Sequence, residues 1–185
     1  MKDRPSTSAA VPIMDAEAIR RALRRIAHEI IERNPDLASI ILAGIPLRGV
    51  EIARRIAEFI RGIDKIDIDT GVIDVAMHRD DVGKRAELPI VHASKLPLPL
   101  EGRTLIIVDD VLFTGRTVRA AMDAISSFGR PARIQLAVLA DRGHRELPIR
   151  ADYVGKNLPT APDENVRVQI EPVDGGTDAV WIEKP

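Results

Sequence analysis

The chain of 185 residues contains no cysteine, which rules out a disulfide framework, a thiolate zinc site and a cysteine nucleophile. A chain without thiols suits a reducing compartment, and a cytoplasmic location is expected. Aromatic side chains are scarce, with three Phe, one Tyr and one Trp. That is too few for the stacking platforms on which single-stranded nucleic acids are usually held. Neither sign of charge dominates: 27 basic and 28 acidic residues leave a net charge of −1, which argues against indiscriminate polyanion binding. No apolar run approaches the roughly 18 to 20 residues of a membrane span. The first 14 residues, rich in Ser, Ala and Pro, lack the apolar stretch of a secretory signal. What remains is a chain with 45% hydrophobic and 30% charged residues, enough to bury one substantial core.

The neutral average hides a polarised distribution. Between Arg20 and Arg33 there are five arginines against two glutamates, and between Asp163 and Pro185 six acids against two bases. A basic segment near the start therefore faces an acidic end. Taken alone, an arginine-rich helix face is most often a solvated surface.

Apolar periodicity outlines alternating helices and strands. Asp15 is placed to cap a helix in which Ile19, Leu23, Ile26, Ile30 and Ile31 form the buried stripe, ended by Asn34-Pro35. Ile40–Ala43 reads as a short buried strand entering the turn Gly44-Ile-Pro-Leu-Arg-Gly49. A second helix carries Val50, Ala53, Ala57 and Ile60 on one face and ends at Gly62. Ile66–Ala76 alternates as a strand with a bulge at Gly71. Leu105–Val108 is a central strand, Val118–Phe128 an amphipathic helix and Ile134–Ala140 another buried strand. Asp152–Gly155, Val166–Ile170 and Ala179–Ile182 complete the strand set. The alternation predicts an α/β fold with a mainly parallel, twisted central sheet flanked by helices. Residues 1–14 are expected to be a flexible tail and 15–185 a single domain. Within it, 77–102, with three prolines and no sustained period, is expected to form a mobile arm.

One segment carries the chemistry: Val108-Asp-Asp-Val-Leu-Phe-Thr-Gly-Arg-Thr117. It runs from the carboxyl end of an apolar strand into a helix N-terminus, where open α/β sheets bind ligands. Adjacent carboxylates Asp109 and Asp110 suit the vicinal hydroxyls of a ribose. The turn that follows supplies backbone N–H groups, the hydroxyls of Thr114 and Thr117, and a positive helix end, which together suit a phosphate dianion. Competing phosphate motifs fail. Gly44 and Gly49 have Walker-type spacing, but Val50-Glu51 stands where Lys-Ser/Thr is required, and no G-x-G-x-x-G follows a strand.

This segment resembles the phosphoribosyl-pyrophosphate motif of type I phosphoribosyltransferases. Arg25–Arg33, Arg79-Asp-Asp81 and the long run Gln135–Asn157 are similar to one branch of them, the bacterial pyrimidine-operon attenuation regulators that are also uracil phosphoribosyltransferases. The resemblance covers residues 11–182. It implies a type I phosphoribosyltransferase fold with a small hood over the site, and a reaction of uracil with phosphoribosyl pyrophosphate giving UMP and pyrophosphate. It also implies Mg2+ carried by the substrate, with no metal ligand assigned to the chain itself. Asp109 and Asp110 would hold the ribose, and Val111, Leu112, Phe113, Thr114, Gly115, Arg116 and Thr117 would wrap the 5′-phosphate. Gly44–Gly49 resembles the pyrophosphate loop, with Arg48 as its arginine. Arg79 would close over the pyrophosphate, and Arg142 and the backbone near Val166 would lie beside the base. Leu47 departs from the family, which usually has threonine there; one hydroxyl ligand is lost.

The same resemblance implies a second activity, binding of messenger RNA leaders of pyrimidine genes, promoted by uridine nucleotides (UMP, UTP). The implied contacts are Arg24, His28, Arg33, His144, Arg145, Arg150, Lys156 and Asn157, on a homodimer or larger homo-oligomer. Taken alone, His28 reads as a packing residue and His144 as a turn residue. Two other readings stay open: a regulator with decayed catalysis, suggested by Leu47, and a type I enzyme for another base such as hypoxanthine or orotate.

Overall fold

A computed structural model describes residues 10–76 and 93–184. The chain runs β1 (Ala10–Met14), α1 (Ala16–Arg33), β2 (Ile40–Gly44), α2 (Arg48–Asp64), β3 (Asp69–Val72) and β4 (Thr104–Leu112). It continues with α3 (Arg116–Ser126), β5 (Arg133–Asp141), β6 (Tyr153–Asn157), β7 (Asn165–Gln169) and β8 (Ala179–Glu183). Five strands form a parallel sheet in the order β3-β2-β4-β5-β6, and three form an antiparallel sheet in the order β1-β8-β7.

Every residue of β2 and the run Leu105–Asp109 of β4 are buried, because helices cover both sheet faces. Side chains alternate across the sheet. Leu42, Ile106 and Val108 pack under α1 and α2 with Ile19, Leu23, Ile26, Ile52 and Ile56. Ile41, Ala43, Leu105 and Ile107 face α3 through Val118, Ala121 and Ile125. Each such aliphatic side chain removed from water contributes roughly 1.5–3 kcal/mol. Asp15 caps α1, accepting from Ala18 N–H at 2.7 Å. At the other end of α1, Asn34 donates through Nδ2 to the Ile30 carbonyl and to the Tyr153 hydroxyl, each at 2.9 Å.

Several sequence expectations need correction. The tail does not extend to residue 14, because Ala10–Met14 is a strand pairing with β8 in the register Ala10↔Glu183. Its partner lies at the far end of the chain, so no local pattern announces it. Helix α2 runs two residues past Gly62, and Lys65, in the left-handed region at φ 61°, is its C-cap. Ile52 and Ile56 are buried in its packed face, whereas Val50 and Ala57 are only half-buried. The strand predicted over 66–76 contracts to Asp69–Val72. Gly71 does not mark a bulge. A Cβ there would lie 2.8 Å from the Lys95 carbonyl, where the chain returns and pairs with Val72 through two 2.8 Å bonds. Most of the expected arm, 77–92 with Arg79, lies outside the described residues.

Candidate active site

The carboxyl ends of β2 and β4 meet at one edge of the parallel sheet. Two glycines let them close together. A Cβ on Gly44 would sit 2.4 Å from Val50 Cα, and one on Gly49 would sit 2.4 Å from the Val108 carbonyl oxygen. The first turn of α2 is therefore pressed against the end of β4, which brings Arg48 beside Asp110. The spacing that mimics a Walker loop in the sequence is a packing requirement.

Asp109 is 8% exposed, and its Oδ1 accepts from Asp110 N–H at 2.9 Å. Asp110 Oδ1 accepts from Val111 N–H at 2.8 Å, while its Oδ2 accepts from Arg48 Nη1 at 3.3 Å. The other edge of the Arg48 fork is bound to the β7–β8 connection of the three-stranded sheet, which forms the hood: Nε and Nη2 donate to Asp174 Oδ2 and Oδ1 at 2.7 and 2.8 Å. This pairing raises the Arg48 pKa, chiefly through Asp174, and holds the Asp174 carboxyl below its ordinary range, chiefly through Arg48. Leu47, just before it, is 57% exposed and offers only backbone groups to a ligand.

Beyond β4 the chain turns through Phe113–Gly115 into α3. Gly115 is the N-cap with φ 93°, a conformation that favours glycine. A cavity of about 290 Å³ opens here, lined by Asp109, Val111–Val118 and Glu146. The amino end of α3 opens onto this cavity, and aligned N–H groups at a helix start favour an anion. Arg116 and Glu146 of the lining pair with each other, Nε to Oε2 at 2.7 Å.

Phe113, part of the cavity lining, is packed by two neighbouring side chains. The Arg142 guanidinium lies 4.0 Å from the Phe113 ring centre, and His144 meets that ring edge-on at 6.1 Å. Arg142 is only 6% exposed. It donates to Thr160 Oγ1 at 3.2 Å and to the carbonyls of Ala161 and Glu164. Its guanidinium thus pins the strap that leads into β7, where Val166 is half-buried. Burial lowers the Arg142 pKa.

Residues 12–174 match the model of the phosphoribosyl transferase domain family. The chain is 56% identical over 170 residues to the Bifunctional protein PyrR of Roseiflexus sp. (strain RS-1), covering 92% of this chain and 93% of that one. It is 53% identical to the Bifunctional protein pyrR of Enterococcus faecalis (strain ATCC 700802 / V583), covering 93% and 96%. This chain belongs to the PyrR family of phosphoribosyltransferases. Its fold is similar to the Trypanosoma cruzi hypoxanthine phosphoribosyltransferase solved with its product IMP, with a TM-score of 0.71 at 17% identity, covering 99% and 94%. The type I phosphoribosyltransferase architecture expected from the sequence is thereby established.

The second group of PyrR-type residues divides in space. Arg24, His28 and Arg33 are exposed on α1, which packs beside the edge strand β6. Arg150 lies exposed shortly before β6, and Lys156 and Asn157 are exposed at its end. Arg33 also donates to the Asp152 carbonyl at 2.9 Å and lies over the Tyr153 ring at 5.3 Å. Five of these six lie about α1 and β6, whereas Arg150 lines a cavity on the α3 side with Val118 and Met122. His144 and Arg145 stand apart, on the loop beside the cavity. His144 Nε2 lies 2.6 Å from the Thr160 carbonyl. All three Arg145 nitrogens are engaged, with Asp141 and the carbonyls of Phe113, Gly143 and Ile149. Arg145 therefore shapes the loop, and any part it plays at an RNA surface would be through that shape.

Sequence reasoning missed Asp174, the partner of Arg48, because Asp174-Gly-Gly reads as an ordinary turn. It also missed Arg25, which reaches the Val154 carbonyl at 3.1 Å and the Gly155 carbonyl and so ties α1 to β6. The basic charge of α1 is thus partly structural.

Proposed function

We propose that this phosphoribosyltransferase transfers the phosphoribosyl group to uracil, forming UMP and pyrophosphate. We propose further that the same pocket, filled by UMP or UTP, promotes binding to messenger RNA leaders of pyrimidine genes. The observation that carries the first part is the pair Asp109–Asp110 at the end of β4, continuous with the glycine-capped turn into α3 and bordered by Phe113, on which Arg142 packs.

In this reading the 5′-phosphate sits on the amino end of α3 and the ribose hydroxyls donate to Asp109 and Asp110. The transition state has oxocarbenium character, with negative charge growing on the departing pyrophosphate. Arg48 and the backbone of the Leu47 turn face that charge, so positioning and electrostatic stabilisation do most of the work. Arg79, outside the described residues, would close the site from above. Asp109 and Asp110 are hard oxygen donors, suited to Mg2+. Among the described residues no cluster of three or more ligating side chains stands ready to cage an ion. By the family resemblance Mg2+ would be carried by phosphoribosyl pyrophosphate, and it would supply charge neutralisation on the leaving group. The base would lie against the strap 160–166 that Arg142 holds in place.

The exposed residues of α1 and β6 form the surface we assign to RNA, extended by a second protomer in a homo-oligomer. With few aromatics, contacts to phosphates and polar base edges would supply the recognition. Near-neutral net charge implies modest non-specific affinity, leaving selectivity to loop shape and nucleotide occupancy.

Formation of UMP from uracil and phosphoribosyl pyrophosphate tests the enzyme, with hypoxanthine and orotate as competing bases. Unchanged activity in an Asp109→Asn/Asp110→Asn variant would sink the site assignment. Binding to a pyrimidine-gene leader transcript, with and without UMP, tests the regulator; no effect of nucleotide would leave only the enzyme. One observation favours a second reading, a nucleotide sensor with weak turnover: Leu47 supplies no side-chain donor and Arg48 is already held by two carboxylates. Steady-state turnover separates the two.

A further inference from the structure

The two anion-binding ends of the pocket are in different states. The phosphate cradle is an open cavity, whereas the gripping edge of Arg48, Nε with Nη2, is filled by Asp174 and its remaining amino group touches Asp110. A planar guanidinium offers this edge as its bidentate grip for a carboxylate or a phosphate. A pyrophosphate group can take that grip only after the Asp174 carboxylate has left it.

The Asp174 contact is not what docks its loop. The same 170–178 segment is anchored on α2 by Arg55, which pairs with Asp178 and donates to the Glu171 carbonyl. Arg55 is held in turn by Glu51 at 2.8 Å. Arg55 is the more buried arginine, with its side chain 20% exposed against 38% for Arg48. Asp174 also closes its own turn: its Oδ2 accepts from Ile170 N–H and its N–H donates to the Ile170 carbonyl, both at 2.9 Å. The Arg48–Asp174 pair is thus a partly hydrated bridge laid over an already docked loop, and such bridges exchange at small cost.

We propose that Asp174 is a positioning residue that stands in for pyrophosphate on Arg48. It sets the preference of the pocket for a nucleoside monophosphate over a phosphoribosyl pyrophosphate. A monophosphate fills the open cradle and leaves the Arg48–Asp174 bridge intact. A pyrophosphorylated sugar must displace it. The proposal rests on the reading of Arg48 as the pyrophosphate arginine.

Asp174→Asn tests it, because asparagine keeps one oxygen for the Ile170 N–H while removing the charge from Arg48. The measurements are equilibrium affinities for inorganic pyrophosphate, phosphoribosyl pyrophosphate and UMP, all with Mg2+ present, and the two substrate KM values. Pyrophosphate and phosphoribosyl pyrophosphate should bind roughly tenfold more tightly. Affinity for UMP and the KM for uracil should stay within about twofold, since the bridge is not in their way. In an Arg48→Ala background the gain should vanish. A gain that persists there, or one shared equally by UMP, would show a general field effect and overturn the proposal. Weaker pyrophosphate binding in Asp174→Asn would overturn it too, by making Asp174 part of the binding site. If Arg48→Ala alone leaves pyrophosphate affinity unchanged, the underlying reading of Arg48 fails instead.

Discussion

The two ends of the pocket are built from different materials. The end we assign to the 5′-phosphate is contiguous and largely backbone: a turn, a glycine with φ 93° and the first N–H groups of α3, joined by Thr114 and Thr117, all within Leu112–Val118. The end we assign to pyrophosphate is an ion-pair cluster of side chains from three distant places, Arg48 on α2, Asp110 on β4 and Asp174 between β7 and β8. A backbone site is preorganised and insensitive to most substitutions. A side-chain site can be occupied, exchanged and tuned.

The contrast can be broken most severely at the carboxylates that join the two ends. Asp109→Asn/Asp110→Asn should lower kcat/KM for UMP formation by about a thousandfold or more, as removal of groups acting together on the transition state does. Circular dichroism should show a retained fold. At the phosphate end, Gly115→Ala forces a side chain into the left-handed region, at a cost of about 1–3 kcal/mol. UMP affinity measured by calorimetry should fall, with inorganic pyrophosphate affinity unaffected. At the base wall, Phe113→Ala removes the ring beneath Arg142, where a cation–π contact contributes about 0.5–2 kcal/mol. A several-fold rise in the KM for uracil is expected.

The smallest effect is on acid stability. Asp174 and Glu51 both have pKa values below their ordinary 3.8 and 4.5, Asp174 chiefly through Arg48 and Glu51 chiefly through Arg54. A depressed carboxylate contributes stability that is fully present above its unfolded pKa and lost as pH falls through the folded one. The stability these pairs give should therefore be fully present and pH-independent near neutrality, and the thermal unfolding midpoint should fall as pH drops below about 4. Asp174→Asn should flatten that acid limb slightly, since its bridge to Arg48 is partly hydrated.

The same contrast explains what could be read from the sequence. The phosphate end was legible because its parts are contiguous: an apolar strand, two acids, a Thr-Gly-x-Thr turn and a helix. The parallel sheet was legible for a similar reason, since buried strands and amphipathic helices declare themselves locally. The pyrophosphate end was half legible. Arg48 followed from a resemblance, but nothing near Asp174 points 126 residues back along the chain. The strand β1 was hidden in the same way, its Ala-Val-Pro-Ile-Met run too short to signal a strand without β8 beside it. Arg145 failed differently: its charge suggested a surface contact, while its nitrogens are spent on neighbouring carbonyls and Asp141.

The order β1-β8-β7 in the hood has a consequence for how the chain assembles. The middle strand β8 is made after both β1 and β7, so neither has its neighbour until residues 179–183 have been synthesised. The five-stranded sheet, by contrast, can close with the residues up to Asn157. Contacts of such long sequence separation form late. The turn into α3 is therefore built early and by itself, and the sheet beside Asp174 is complete only once β8 zips between two waiting edges. Deleting β8 would unpair both of its neighbours at once, a larger loss than five residues suggest.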